Sequence, residues 1–292
     1  MTVTDLGVKR AREMQDRPPL PAATCERIER ERDFFNRSVA VTTVQDASLR
    51  VPQDLEEGLE REVKGLARSL EGKTVCDYGC GQGVFSCFLA QRGACVHSFD
   101  VSEAQVALAR RAAQANRVAG RVFPEVMAGE YLAYPSNYFD LVFGNAVLHH
   151  VDIPQAAREI YRVLKPGGQA VFGEPLGENR LLEWARRSAL RTAKHRHSLD
   201  EHSLRYSEIQ QFGSLFDRMS VRETRLLRMG IRLLEEFSIG KADGRARPWL
   251  GRWSARLERA DDWLLGRYAG LRHLCQYVVL TVFKRGSGRT DR

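Results

Sequence analysis

The chain has 292 residues, 43% hydrophobic and 28% charged. That is the balance of an ordinary soluble globular protein, and no apolar run approaches the ~18 residues a membrane span needs. The net charge of +8 is uneven: residues 1–177 hold 21 Lys/Arg against 23 Asp/Glu, and residues 178–292 hold 24 against 14, a net of +10. A basic half of this kind fits an anionic partner or simply solvated helix faces. The N-terminus lacks the basic-then-apolar pattern of a secretory signal, and the six cysteines form no C-x-x-C pair. A cytoplasmic protein with reduced, mostly buried cysteines and no zinc site is expected.

In chain order, residues 1–22 read as a polar leader ending in Pro18-Pro19-Leu20-Pro21. A helix follows over 24–37, with Ile28, Phe34 and Phe35 among charges. A second helix is expected over 54–70, where Leu55, Leu59, Val63, Leu66 and Leu70 recur at three- and four-residue spacing. From Gly72 the pattern alternates. Strands are predicted at 73–78, 94–99, 122–127, 139–145 and 169–172. Helices are predicted at 85–91, 103–116 behind a Ser102 cap, and 154–164 before Lys165-Pro166-Gly167-Gly168. This alternation predicts a doubly wound parallel sheet. Beyond Glu174 it stops. Helices are expected near 179–194, 207–217 and 249–272, with a strand at 276–283 that pairs antiparallel with one at 219–227. Three parts result: an N-terminal leader and helical lid (1–70), a ligand-binding core (71–177), and a basic C-terminal part (178–292). The last completes the sheet and carries helical insertions that cover the substrate.

The informative run is Asp77-Tyr-Gly79-Cys80-Gly81-Gln-Gly83, between a predicted strand and a predicted helix. Glycines there let the backbone approach a ligand closely. Asp100 closes the next strand, where an acid takes ribose hydroxyls in nucleotide-binding folds. A nicotinamide loop of the G-x-G-x-x-G form would place its last glycine at position 84, where Val84 stands. The run instead resembles the D-x-G-x-G-x-G motif of class I S-adenosylmethionine-dependent methyltransferases. Residues 132–142, 145–151 (Asn-Ala-Val-Leu-His-His-Val) and 158–168 are similar to that family's later segments, in the correct order.

That resemblance covers residues 75–175. It implies a seven-stranded, mostly parallel Rossmann-like sheet and S-adenosyl-L-methionine as cofactor. The backbone at Gly79, Cys80 and Gly81, with Gly83 closing the motif, would line the methionine moiety, and Asp77 would organise the loop. Asp100 would take the ribose hydroxyls and Val101 would pack on the adenine. Where the family often has an acid, this chain has Ala128. Adenine contacts would then fall to the backbone of Ala128 and Gly129, or to Glu130 swinging in. Asn145 would face the methionine end.

Methyl transfer needs positioning and exclusion of water, with a base if the acceptor is a hydroxyl. His149, His150 and Glu174 are the candidates, since the resemblance places them near the carboxyl edge of the sheet. His195, His197 and His202 lack a dependable metal-ligand spacing, and no metal is assigned. The 249–272 segment interleaves Trp249, Trp253, Leu257, Ala260, Leu264 and Leu271 with arginines. Packing on the core or on a second subunit is favoured for it over contact with a lipid surface.

The expected activity is methylation of a small molecule, lipid-like or a specialised metabolite, with O-transfer ahead of C- or N-transfer. Rivals are a nucleic-acid methyltransferase, which the absence of an Asn/Asp-Pro-Pro-Tyr/Phe tetrapeptide disfavours, a non-catalytic cofactor-binding partner, and a nicotinamide oxidoreductase. Oligomeric state is not legible.

Overall fold

The computed structural model describes residues 17–40, 49–52, 61–67, 70–180, 182–183, 202–227 and 248–286. Helix α1 (Ala22–Ala40) and helix α2 (Arg61–Ala67) precede the sheet. Then come β1 (Thr74–Tyr78), α3 (Val84–Ala90), β2 (Cys95–Asp100), α4 (Glu103–Ala115), β3 (Val122–Val126), β4 (Phe139–Asn145), α5 (Ile153–Val163) and β5 (Leu164–Pro175). Helix α6 (Tyr206–Gly213), β6 (Arg218–Thr224), α7 (Pro248–Arg267) and β7 (Tyr277–Phe283) complete the chain.

The seven strands lie in the order β3-β2-β1-β4-β5-β7-β6. The first five are parallel; β7 inserts antiparallel between β5 and β6. Side chains alternate across the sheet with a period of two. Phe139 and Val142 of β4, Phe172 of β5 and Leu280 of β7 pack on one face with Ile160 of α5 and Phe212 of α6. Leu141 and Phe143, Val171 and Val279 pack on the other with Phe88 of α3 and Ala112 of α4. Central strands are therefore buried on both faces, as a parallel sheet between helical layers requires.

Local signals place the elements. Ser102 caps α4, its Oγ accepting from the Gln105 N–H at 3.1 Å, and Asp152 caps α5 through the Gln155 N–H at 2.9 Å. The fifth strand is longer than its apolar run predicts: pairing with β4 begins at Phe139–Leu164 and resumes at Leu141–Gln169 after a bulge through the Gly167 turn.

Leu257, Ala260 and Leu264 of the expected apolar stripe are half-buried in helix α7. Beside them Asp261 and Leu265 are buried, whereas Trp263, outside the stripe, is 67% exposed. Polar ties to β6 and its trailing loop hold the helix. Asp261 Oδ1 accepts from the Leu227 N–H at 2.7 Å, and Arg222 of β6 pairs with Asp262 at 2.7 Å. The expected helix over 207–217 ends at Gly213, and 3-10 turns over Ala269–Leu274 replace the end of the 249–272 helix. Most of the expected 179–194 helix, and residues 228–247 between β6 and α7, lie outside the described residues. Among the described residues no helix is long and apolar enough to cross a membrane.

Candidate active site

The sheet order reverses between β1 and β4, and open α/β sheets bind ligands at the carboxyl ends of strands beside such a switch point. A cavity of about 310 Å³ lies there. That is the lower end of the ~300–1,000 Å³ range of ligand clefts.

The loop after β1 forms its floor. Asp77, Gly79, Cys80 and Gly81 line the cavity, together with Asp100 and Val101 from the end of β2. The Cys80 N–H donates to the Phe99 carbonyl at 2.8 Å, and the Gly81 N–H donates to Asp100 Oδ2 at 2.9 Å. Asp100 Oδ1 accepts from the Ser102 N–H at 3.0 Å. Burial raises the Asp100 carboxyl above the usual carboxylate range, against these N–H donors. Asp77 sits beneath the loop and accepts from the Ser86 hydroxyl. Burial pushes its carboxyl up to about 7, opposed by Ser86 and reinforced by the charge of Asp100.

Ala128, Gly129 and Asn145 also line the cavity, so nine of the ten residues expected to hold the cofactor meet around one space. Gly83 does not. It sits at the head of α3 with φ 78°, and a Cβ there would lie 2.9 Å from the Ala109 Cα. Its role is to let α3 pack closely on α4. Gly81, with φ 50°, would project a Cβ into open space, so its bare backbone faces the cavity.

Glu130 is buried in the cavity wall, but no swing toward adenine is needed to explain it. Its Oε1 accepts from Arg27 of α1 and from the Asp152 N–H at 2.9 Å. Asn145 is tied through Oδ1 to the Tyr277 hydroxyl of β7 at 2.7 Å.

The catalytic candidates separate. His150 lines the cavity. His149 and Glu174 are both buried and do not line it. Glu174 Oε1 accepts the N–H groups of Val147 and Leu148 at 2.9 and 2.8 Å, and Oε2 lies 2.7 Å from His149 Nδ1. The β5 carboxylate thus holds the turn after β4, and the expected contact of Glu174 with substrate gives way to a bracing role. His202 contacts Glu208 at 2.8 Å; His195 and His197 lie outside the described residues.

Helix α1, within the part expected as a lid, supplies wall residues that no site role was expected for. Arg27, Ile28, Glu31 and Phe35 close the cavity opposite the loop. Their three- and four-residue spacing, with polar groups among apolar ones on a single face, was the available signal. The helix is anchored at its other end by Asn36, whose Oδ1 accepts from the Ser102 hydroxyl at 2.6 Å and the Ala104 N–H at 3.1 Å.

The donor set suits a cationic nucleoside-like ligand. Among the described residues, Glu31, Asp77, Asp100 and Glu130 surround the space against one arginine, Arg27. The Tyr78 hydroxyl and Gln105 Oε1 line it, buried and without a hydrogen-bond partner among the described residues. Buried polar atoms of this kind ordinarily find partners, here ones a ligand can supply.

A methyltransferase-domain family model matches residues 76–172. The ubiquinone biosynthesis O-methyltransferase of Pseudomonas paraeruginosa is 39% identical over 111 residues, 38% of this chain and 47% of that protein. The chain thus spans about half the length of the curated relatives it matches. Among solved structures, geranyl diphosphate C-methyltransferase from Streptomyces coelicolor A3(2) superposes with a TM-score of 0.54 at 16% identity, over 92% of this chain and 100% of that one. The [4+2]-cyclase SpnF superposes with a TM-score of 0.50 at 22% identity, over 77% and 81%. These likenesses speak for the fold alone, which hosts more than one chemistry. The matched segment, residues 76–172, carries the glycine loop, Asp100 and the turn after β4, and is similar to a methyltransferase domain.

Proposed function

We propose that this chain is an S-adenosylmethionine-dependent methyltransferase acting on the oxygen of a small molecule. The observation that carries the reading is the convergence of the bare Gly81 backbone, Asp100 and His150 on one cavity closed by α1. The O-methyltransferase name of relatives sharing the matched third of the chain supports oxygen as acceptor.

In this reading Asp100 holds the ribose hydroxyls, the Gly79–Gly81 backbone holds the methionine moiety, and Tyr78 and Gln105 supply further hydrogen bonds. When bound, the cofactor supplies an activated methyl group. The chain contributes orientation, exclusion of water by α1, and a proton acceptor at His150 for a hydroxyl substrate. His149 and Glu174 keep the His150 turn in place. The N-terminal part acts as a lid, and the C-terminal part covers the acceptor. A cytoplasmic setting belongs to the proposal; all six cysteines are unbridged.

The test is transfer of labelled methyl from S-adenosylmethionine into fractionated lysate and lipid extract, with Asp100→Ala as control. Label entering an ether-linked product, and lost in the variant, supports the reading. Cofactor affinity with no transfer into any fraction would favour a non-catalytic role. Steeply salt-dependent RNA binding would favour a nucleic-acid acceptor.

A further inference from the structure

Glu31 is a carboxylate only 3% exposed, on a helix otherwise rich in solvated charge. A carboxylate is costly to bury unless its charge is answered nearby. The neighbouring group is His150: Glu31 Oε2 lies 3.1 Å from His150 Nδ1. At that separation the carboxylate and the imidazole are within ion-pair reach of each other.

The imidazole is held on other sides too. Its ring meets Phe35 edge-on at 5.4 Å and His149 at 4.1 Å. The main chain beneath the ring is fixed as well: the backbone N–H of His150 donates to the Val147 carbonyl at 3.0 Å, and its backbone carbonyl accepts from Arg27. The charged and titratable groups around it are Arg27 and Glu31 of α1, Asp100 at the end of β2 and His149 beside it, with Glu130 lining the same cavity. Arg27 is engaged by Glu130, which leaves Glu31 as the carboxylate directed at the ring.

We propose that Glu31 is a positioning residue for methyl transfer. It holds His150 with the proton on Nδ1, so that Nε2 is the bare nitrogen offered to the acceptor. The proposal rests on the O-methyltransferase reading above. As the acceptor oxygen bonds the methyl carbon, the methyl–sulfur bond breaks and sulfur keeps its electron pair. The hydroxyl proton goes to Nε2. Positive charge thus moves from sulfonium to imidazolium, next to Glu31. A Glu on the lid helix also ties the base to closure: His150 is set only when α1 is docked, which is when water is excluded.

The experiment compares wild type, Glu31→Gln and Glu31→Asp. The imidazole nitrogen shifts of His150 in the free protein report its tautomer by NMR, and binding of S-adenosylhomocysteine by calorimetry reports an intact site. In Glu31→Gln the tautomer is expected to move toward the proton on Nε2, with affinity for S-adenosylhomocysteine within about twofold of wild type. Using the lysate fraction that accepts label, kcat should fall about 100-fold with little change in KM. Glu31→Asp should recover part of that loss. Unchanged nitrogen shifts in Glu31→Gln would overturn the proposal. So would a kcat loss that merely tracks lost S-adenosylhomocysteine binding. Failure of the wild type to transfer label to any fraction would sink the functional reading instead, and the tautomer shift would still decide whether Glu31 sets His150.

Discussion

The Gly81 amide donates to Asp100 Oδ2 at 2.9 Å, so the glycine loop and the acid that closes β2 form one unit. The second oxygen of the same carboxylate takes the Ser102 N–H at the head of α4. Asp100→Asn keeps the size but offers only one acceptor oxygen. Hydrogen bonds to a charged group are worth roughly 1.5–3 kcal/mol, so affinity for S-adenosylhomocysteine should fall about 10- to 100-fold. Isothermal calorimetry checks this; unchanged affinity would remove Asp100 from the ribose contact.

Gly81 and Gly83 differ by two positions and should fail differently. Both have left-handed φ, which costs an L-residue about 1–2 kcal/mol. Gly83→Ala adds a collision with the Ala109 backbone, for a total destabilisation of about 2–4 kcal/mol. Gly81→Ala meets no protein atom, so stability should fall by only ~1 kcal/mol while cofactor binding is lost to the methyl group in the cavity. Urea unfolding and calorimetry on the two variants separate these outcomes.

Asp77 makes stability depend on pH in an unusual direction. Its carboxyl is raised from 3.8 to about 7 by burial, so between those values the folded protein holds a proton that the unfolded chain has released. Stability of the ligand-free protein should therefore decline as pH rises from about 4 to about 7, then level off. Asp77→Asn should flatten that decline in thermal unfolding between pH 5 and 7.5. Binding of a ligand bearing an ammonium group favours the ionised form. S-adenosylhomocysteine binding near pH 6 should then release a proton, seen as a dependence of binding enthalpy on buffer, and the Asn variant should lose that dependence.

Arg27 anchors α1 across the cavity by donating to Glu130 and to the His150 carbonyl. Arg27→Ala leaves Glu130, buried at 2% side-chain exposure, with the Asp152 N–H as its partner among the described residues. Unsatisfying a buried group costs about 1–3 kcal/mol, and the loss should fall on lid docking rather than on the sheet. Hydrogen exchange should speed up across residues 22–40, β1 and β4 should stay protected, and S-adenosylhomocysteine should dissociate faster. Uniform loss of protection would mean that α1 is part of the global fold and not a lid.

The alternation from β1 to β5 and the antiparallel closing pair were legible in the chain, and nine of the ten residues expected at the cofactor line the cavity. Each rests on local signals: period-two apolar runs, a Ser102 cap, left-handed positions that demand glycine, and an acid at a strand end. Gly83 was misread because a loop glycine and a packing glycine look alike in sequence; only the neighbouring Ala109 separates them. Glu174 was misread for a similar reason. An acid at the carboxyl edge of a sheet can face substrate or turn back to hold amides, and the N–H groups of Val147 and Leu148 decide.

The methyl donor could therefore be inferred from residues 75–175 as a string, because contacts to a nucleoside cofactor run through one contiguous loop and strand ends at fixed spacing. A helical lid within residues 1–70 was expected, but not which of its side chains meet the site. Arg27, Glu31 and Phe35 lie more than a hundred residues from His150, and their helical spacing marks a shared face without saying what that face covers. Tertiary packing alone brought α1 over the loop. It also separated the two adjacent histidines, turning His149 down to Glu174 and His150 toward the cavity and Glu31.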